Sequence, residues 1–363
     1  MRKPWSRRAL ALVAWMGPDL IALAVVSALV LAAACVYDAP LRGVQGSTWM
    51  PVGALGIFVV VAVMQHLRRR SRRAARIHAS LGKSVAVLVR DWAPLVLIIV
   101  VYDNFHDMTR LVRPDTVDDA LARADAWLVG VPASVALEAI VTPWLTELMT
   151  FCYALFFVFP TVVLVRAYAR GDVLLFREAG VAMSLAFYLG LVGYMLVPAV
   201  GPRFAFPERF SVPLEGWVIT LPASAMWRSL QQVDRDCFPS LHTAMSTIAL
   251  VYLWRFRWMR GGRALFWVSA PFVAGLILST IYLRYHHLVD VIAGFALAAG
   301  CVAAAPRLTG AFHGLWLRLA ADQPAAISAK RRARKLSMKA ARSTASARPV
   351  AVESEAGRRS NFL

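Results

Sequence analysis

The sequence predicts an all-α fold, a polytopic membrane helix bundle of about eight transmembrane helices, and three observations carry that prediction. The first is composition: 59% of the 363 residues are hydrophobic and only 17% are charged, whereas a soluble domain averages about 25% charged. Mean hydropathy is +0.58. The second is a series of apolar runs near the roughly 20 residues that span a bilayer core about 30 Å thick. The third is the alternating placement of basic residues between those runs.

Taken in order, the first run lies near 18–37, behind Arg2, Lys3, Arg7 and Arg8. It exceeds the roughly 7–15 apolar residues of a secretory signal, so it reads as an uncleaved anchor. The second, near 50–66, runs into Arg68-Arg69-Arg70-Ser71-Arg72-Arg73. Basic residues in that position meet anionic lipid headgroups, each contributing about 1 kcal/mol. The third, near 84–104, is interrupted by Arg90 and Asp91 and ends on the polar group Asp103, Asn104, His106 and Asp107. From Asp115 to Pro132, acids alternate with Leu121, Trp127, Leu128 and Val129, a pattern of a helix lying in the membrane interface. Further runs fall near 144–165, 179–198, 240–254, 264–283 and 288–305. The stretch from 322 to 363 has ten Lys+Arg, three acids and little apolar periodicity, and reads as a disordered basic tail.

The net charge of +19 raises nucleic acid as a partner, and the distribution of charge answers it. With the N-terminus in the cytoplasm, 30 of the 40 Lys+Arg fall in cytoplasmic segments and 9 in external ones, with Arg90 inside a span. This is the positive-inside pattern of a membrane topology, so no nucleic-acid partner is expected. Anionic lipids at the cytoplasmic loops are. The cysteines Cys35, Cys152, Cys237 and Cys301 have no ligand-type spacing, so neither a disulfide framework nor a metal site is expected, and no cofactor motif is present.

The same topology gathers the suggestive polar residues on the external side. At the outer end of the sixth run stands Asp236-Cys237-Phe238-Pro239-Ser240-Leu241-His242. Ser240 is a good helix N-cap, and the amides that follow it form an anion site. His242 then stands in the first turn, placed to give a proton to a bound group. Between the seventh and eighth runs comes Tyr282-Leu283-Arg284-Tyr285-His286-His287-Leu288-Val289-Asp290. A histidine and a carboxylate four residues apart face each other on one helical turn. If Asp290 accepts a hydrogen bond from the N–H of one ring nitrogen of His286, the other nitrogen is left as an oriented nucleophile. Spacing alone leaves His287, three residues from Asp290, as an alternative. After the fifth run, Gly201-Pro202-Arg203 presents an arginine, and Arg203 with Arg284 suits phosphate oxygens.

These motifs resemble the type 2 phosphatidic acid phosphatase superfamily of membrane lipid phosphatases and phosphotransferases. Gly201-Pro202-Arg203, Phe238-Pro239-Ser240-Leu241-His242 and Tyr282 to Asp290 are most similar to its inositol phosphorylceramide synthase-like branch, named for aureobasidin resistance. Asp119-Ala120-Leu121 with Asp125 and Gly130 adds to that likeness. The chain lacks the Lys-x6-Arg-Pro motif of the phosphatase branch and has Thr280 where an arginine is expected, as the synthase-like branch does.

The resemblance implies a six-helix phosphatase-type core over residues 84–306. Outside it lie two N-terminal helices with a basic loop, 1–83, and the tail, 307–363. It further implies a metal-independent enzyme in which His286 becomes a phosphohistidine, Asp290 orients it, and His242 protonates the leaving alkoxide. Arg203, Ser240 and Arg284 match phosphate-binding positions. The substrate is then a membrane phospholipid or lipid phosphate, and the acceptor is water in a phosphatase or a lipid alcohol in a headgroup transferase. A bacterial inner membrane with a periplasmic site fits the topology. A lipid-binding or transport protein that kept the fold and lost the chemistry is the competing reading from another class.

Overall fold

A computed structural model describes residues 4–39, 78–230 and 234–346, and among these there are helices and no strands. The long helices are α1 (Pro4–Val36), α2 (His78–Asp103), α3 (His106–Val112), α4 (Asp118–Val129), α5 (Pro143–Ala154), α6 (Phe159–Arg170), α7 (Val173–Leu196), α8 (Thr220–Leu230), α9 (Leu241–Arg255), α10 (Gly262–Tyr282) and α11 (Leu288–Ser346). The second expected span, near 50–66, lies outside the described residues.

Among the described residues four helices are long and apolar enough to cross a membrane, and up to six segments are if each of two bent pairs counts as one span. Two of the sequence's eight runs depart from a single membrane-crossing helix for visible physical reasons. The fourth run is not one rod: α5 and α6 meet at 42° across a short 3-10 turn, with Pro160 at the start of α6. The sixth run gives α9, only 15 residues long. At the other end of the chain, α11 continues to Ser346. Its Ala, Lys, Arg and Leu content favours helix even where no apolar face directs packing.

At the centre stands α7, with 61% of its apolar window buried against 28% for α1. It packs on α1, α2, α6, α9 and α11. Small residues on α7 allow this: Ala179, Ala182 and Ala186 are fully buried within the main apolar cluster. The outward faces carry exposed large apolar side chains, among them Val25, Leu29, Leu189, Trp267, Val268 and Ile292. A helix with its backbone bonded internally and an apolar outer face is what a bilayer accepts.

Several helix starts at one end of the bundle are closed by carboxylates from elsewhere in the chain. Asp125 of α4 accepts the amides of Leu288 (2.8 Å) and Val289 (2.9 Å) at the head of α11. Glu147 of α5 accepts the amides of Trp217, Val218 and Ile219 and the Thr220 hydroxyl at the head of α8. Acceptors placed there satisfy amides with no intrahelical partner and oppose the helix dipole. They tie α4 and α5 to the loops that carry the motifs. The opposite end is rich in arginine, with Arg166 and Arg170 donating to the Arg260 carbonyl and Arg255 pairing with Glu178.

Candidate active site

Three segments meet at the first of these ends: the 197–203 loop after α7, the start of α9, and the turn between α10 and α11. Gly201 sits at φ +86°, and a Cβ there would lie 2.2 Å from the Tyr285 carbonyl. Only glycine combines that backbone with that approach. The amide of Arg203 then donates to the Arg284 carbonyl (2.7 Å), and the Ser240 amide donates to the Asp290 carbonyl (3.0 Å), so all three segments are stitched by backbone.

The junction brings His286 and His242 together, with Nε2 of His286 3.3 Å from Nδ1 of His242. Aromatic rings hold His242 in place: Tyr153 stacks on it at 4.6 Å between centroids, and Phe156 lies 4.2 Å away. On the other side of His286, Nδ1 is 3.6 Å from Oδ2 of Asp290. The Cys237 thiol reaches that same oxygen at 3.0 Å and lies 3.5 Å from His286 Nδ1. Burial first, and then the Asp290 charge, push the Cys237 thiol well above its ordinary pKa, so it is a neutral donor. Asp290 is fully buried, and its Oδ2 also accepts the His287 amide at 2.7 Å.

The two adjacent histidines have different neighbours. His287 turns away from His242, with Nε2 3.4 Å from Oδ1 of Asp118, and Phe206 edges its ring at 6.5 Å. Asp118 also accepts the amides of Val200 (3.0 Å) and Gly201 (2.8 Å). Burial pushes its carboxyl pKa up, but the bonds from His287, Val200 and Gly201 outweigh that and hold it below the usual carboxylate value. Asp118 was not among the residues singled out in the sequence. Its signal was present: Asp118, Leu121, Ala122 and Asp125 form one buried helical stripe on α4, with Asp119 on the exposed face.

The expected phosphate ligands divide. Arg203 is half-buried, donates to the Tyr285 hydroxyl at 3.2 Å, and makes no ion pair with a carboxylate among the described residues. Arg284 is placed differently. Its guanidinium is spent on Glu138 (3.2 Å) and the Val212 carbonyl (2.6 Å) and lies over Phe210 at 4.1 Å. It is 7% exposed, at φ +66°, and stays with the 207–214 loop. Ser240 is fully buried, and its hydroxyl oxygen accepts from Thr243 N (3.3 Å) as the N-cap. Its contribution is indirect: the first intrahelical bond runs from Ala244 to Ser240, which leaves the Leu241 and His242 amides without intrahelical partners.

Beside the histidine pair opens a cavity of about 310 Å³. His242, His286, Tyr285 and Asp236 border it at the motif end, and Ile98, Leu164, Met183, Phe187 and Met245 line its apolar length. Trp92 of α2 also lines it, packed against Tyr168 and Phe176. Asp236 accepts from Tyr102 at 2.7 Å within this otherwise apolar wall.

The structure is that of an all-α multi-pass membrane protein in which buried His286 and half-buried His242 border an apolar cavity. A family model described as the PAP2 superfamily matches residues 119–304, which holds the motif loops and α5 to α10 entire. The chain belongs to that superfamily, the type 2 phosphatidic acid phosphatases, and is a membrane protein of lipid-phosphatase type. Comparison with curated proteins and with solved structures gave no match.

Proposed function

We propose that this protein transfers a phosphoryl or phospho-headgroup unit from a lipid at the outer leaflet through a phosphohistidine on His286, without a metal cofactor. The observation that carries the reading is the facing pair of imidazoles, 3.3 Å apart, at the head of an apolar cavity of about 310 Å³. The cavity offers room for hydrocarbon while the imidazoles meet the phosphate, the division of labour a lipid phosphate needs.

In the first step the Nε2 lone pair of His286 forms an N–P bond as the P–O bond to the lipid breaks. His242 gives its proton to the departing alkoxide. Asp290 accepts the Nδ1 proton of His286 and so keeps the lone pair on Nε2. The present 3.6 Å separation is slightly longer than a hydrogen bond, and catalytic contacts of this kind tighten when substrate binds. In the second step His242 takes the proton of an acceptor hydroxyl, whose oxygen bonds to phosphorus as the N–P bond breaks. Arg203 and the Leu241 and His242 amides hold the phosphoryl oxygens, donors aimed where charge develops.

The acceptor in this reading is a lipid alcohol, as in the inositol phosphorylceramide synthase-like branch. Support comes from the motifs at Gly201-Pro202-Arg203 and Tyr282 to Asp290 and from a cavity whose apolar walls disfavour water. Residues 84–306 form the catalytic core, with the N-terminal helices and the tail outside it. The placement of Lys and Arg supports cytoplasmic termini and a periplasmic site in a bacterial inner membrane.

The test is a mass-spectrometric assay of purified wild type and His286→Ala in detergent, given phosphatidate or phosphatidylinositol with and without ceramide. A new phospholipid that requires both acceptor and His286 is the expected result. Free phosphate alone would replace the transferase with a hydrolase, and equal activity in the variant would overturn the phosphohistidine.

A further inference from the structure

The Cys237 thiol is a reactive group in the site that the proposed chemistry leaves without a task. Its surroundings give it one. Sγ of Cys237, Nδ1 of His286 and Oδ2 of Asp290 form a small triangle, with edges of 3.5 Å (S to N), 3.0 Å (S to O) and 3.6 Å (N to O). A tetrahedral zinc ion with Zn–S of about 2.3 Å and Zn–N and Zn–O of about 2.0 Å sets its ligand atoms roughly 3.3–3.6 Å apart. The S to N edge already matches, the N to O edge would close by about 0.3 Å, and the S to O edge would open by about 0.5 Å.

Charge and softness agree with the distances. A thiolate and a carboxylate together cancel a divalent charge, which is what a buried ion requires. The other Asp290 oxygen, Oδ1, is buried without a hydrogen-bond partner among the described residues, so this carboxylate has negative charge to spare. Sulfur and imidazole nitrogen select zinc and similar borderline ions, whereas magnesium and calcium seek six or more oxygens.

We infer that Cys237, His286 and Asp290 form an inhibitory site for a thiophilic divalent cation, Zn²⁺ by its chemistry. The inhibition half of this inference rests on the reading of His286 as the nucleophile. Binding releases the thiol proton, and the three ligands supply S⁻, a neutral imidazole nitrogen and COO⁻. Neutral imidazole carries a single ring proton. A metal on Nδ1 therefore forces that proton onto Nε2, and the lone pair that would attack phosphorus is lost. Asp290 directs the proton to Nδ1 and leaves Nε2 free; the metal imposes the opposite tautomer.

The experiment uses the full-length protein in detergent and two readouts. One is Co²⁺ titration followed by the thiolate-to-cobalt charge-transfer absorption, with Zn²⁺ as competitor. The other is turnover of a lipid phosphate against Zn²⁺ concentration, for wild type, Cys237→Ala and Cys237→Ser. Wild type is expected to bind one ion per chain with the thiolate band and to lose turnover in parallel. Cys237→Ala should lose the band and need about 100-fold more Zn²⁺ for half-inhibition, the order of effect of a lost ligand interaction. Absence of the thiolate band in wild type, or equal Zn²⁺ sensitivity in both variants, would overturn the site. Stoichiometric binding with turnover unchanged would uphold the site and overturn His286 as the nucleophile. Cys237→Ser, closer in volume, decides the matter should the alanine variant fold poorly.

Discussion

The imidazoles around His286 and the charges around Arg90 are both buried polar clusters, and they spend their polar atoms differently. Around Arg90, the guanidinium donates to Asp19 (2.9 Å), to the Met16 carbonyl (2.8 Å) and to the Trp15 carbonyl (3.1 Å). Asp91 bridges Arg90 (3.4 Å) to Arg177 (3.0 Å), so α1, α2 and α7 are joined by two cations and two anions. Glycine makes room in both places: Gly17, at φ +75°, would put a Cβ 2.1 Å from Arg90 Nη2, as Gly201 would against Tyr285. The contrast is in what is left over. The Arg90 cluster pairs charge with charge, leaving only Asp91 Oδ2 buried without a hydrogen-bond partner among the described residues, and none of its four members borders the cavity. At the other cluster the two imidazole nitrogens face each other across a gap that opens on it. Closed pairing is the mark of a brace, and an open, partly satisfied cluster beside a cavity is the mark of a site. The two touch through one residue, since Trp92, next to Asp91 in sequence, lines that cavity.

Substitutions at matched depth sharpen this division. His242→Ala should lower turnover of an unactivated lipid phosphate by about 10²–10⁴-fold, the usual share of a general acid, with little change in thermal midpoint. Asp19→Leu should do the reverse. Stranding Arg90 costs about 3–5 kcal/mol of stability, and the double change Asp19→Leu with Arg90→Met should recover most of it. Thermal unfolding in detergent checks both, and a double variant no better than the single one would show that Arg90 has a task beyond bracing.

Asp118→Ala falls between the two. It leaves His287 Nε2 and the Val200 and Gly201 amides without their acceptor, at about 1–3 kcal/mol for an unsatisfied buried group. Both stability and turnover should drop, because the 197–203 loop carries Arg203. The same carboxylate sets a pH dependence. Its pKa is lowered on folding, so its contribution is complete above the unfolded value of 3.8 and is lost as pH falls through the lower folded value. Wild type should therefore lose stability below about pH 4 more steeply than Asp118→Asn. Thr161→Phe, which fills the cavity wall, should raise KM for a long-chain lipid phosphate by about 10-fold and leave a short-chain substrate nearly unchanged.

How much of this was legible in the sequence follows from the range of each interaction. That His242, His286 and Asp290 lie together was readable because motif and helical spacing are local and the positive-inside pattern gathers their segments on one side. The brace was visible only as an anomaly, Arg90 and Asp91 inside an apolar run, since its partner Asp19 lies 71 residues away. The partner of Arg284 was hidden for the same reason: Glu138, which accepts from its guanidinium, is 146 residues distant. Cys237 read as an isolated thiol until the fold set it between a histidine and a carboxylate. The bend between α5 and α6 was hidden because hydropathy runs through it unchanged.

The central claim, that His286 carries the phosphoryl group, is tested most directly by trapping. His242→Ala would be mixed with a phosphate ester of a good leaving group, which needs no acid to depart, quenched in alkali to preserve a phosphoramidate, and mapped by mass spectrometry. The account predicts phosphate on His286 at near one per chain, accumulating because the base for the second step is gone. Release of phosphate with no label on His286, or label on another residue, would contradict it.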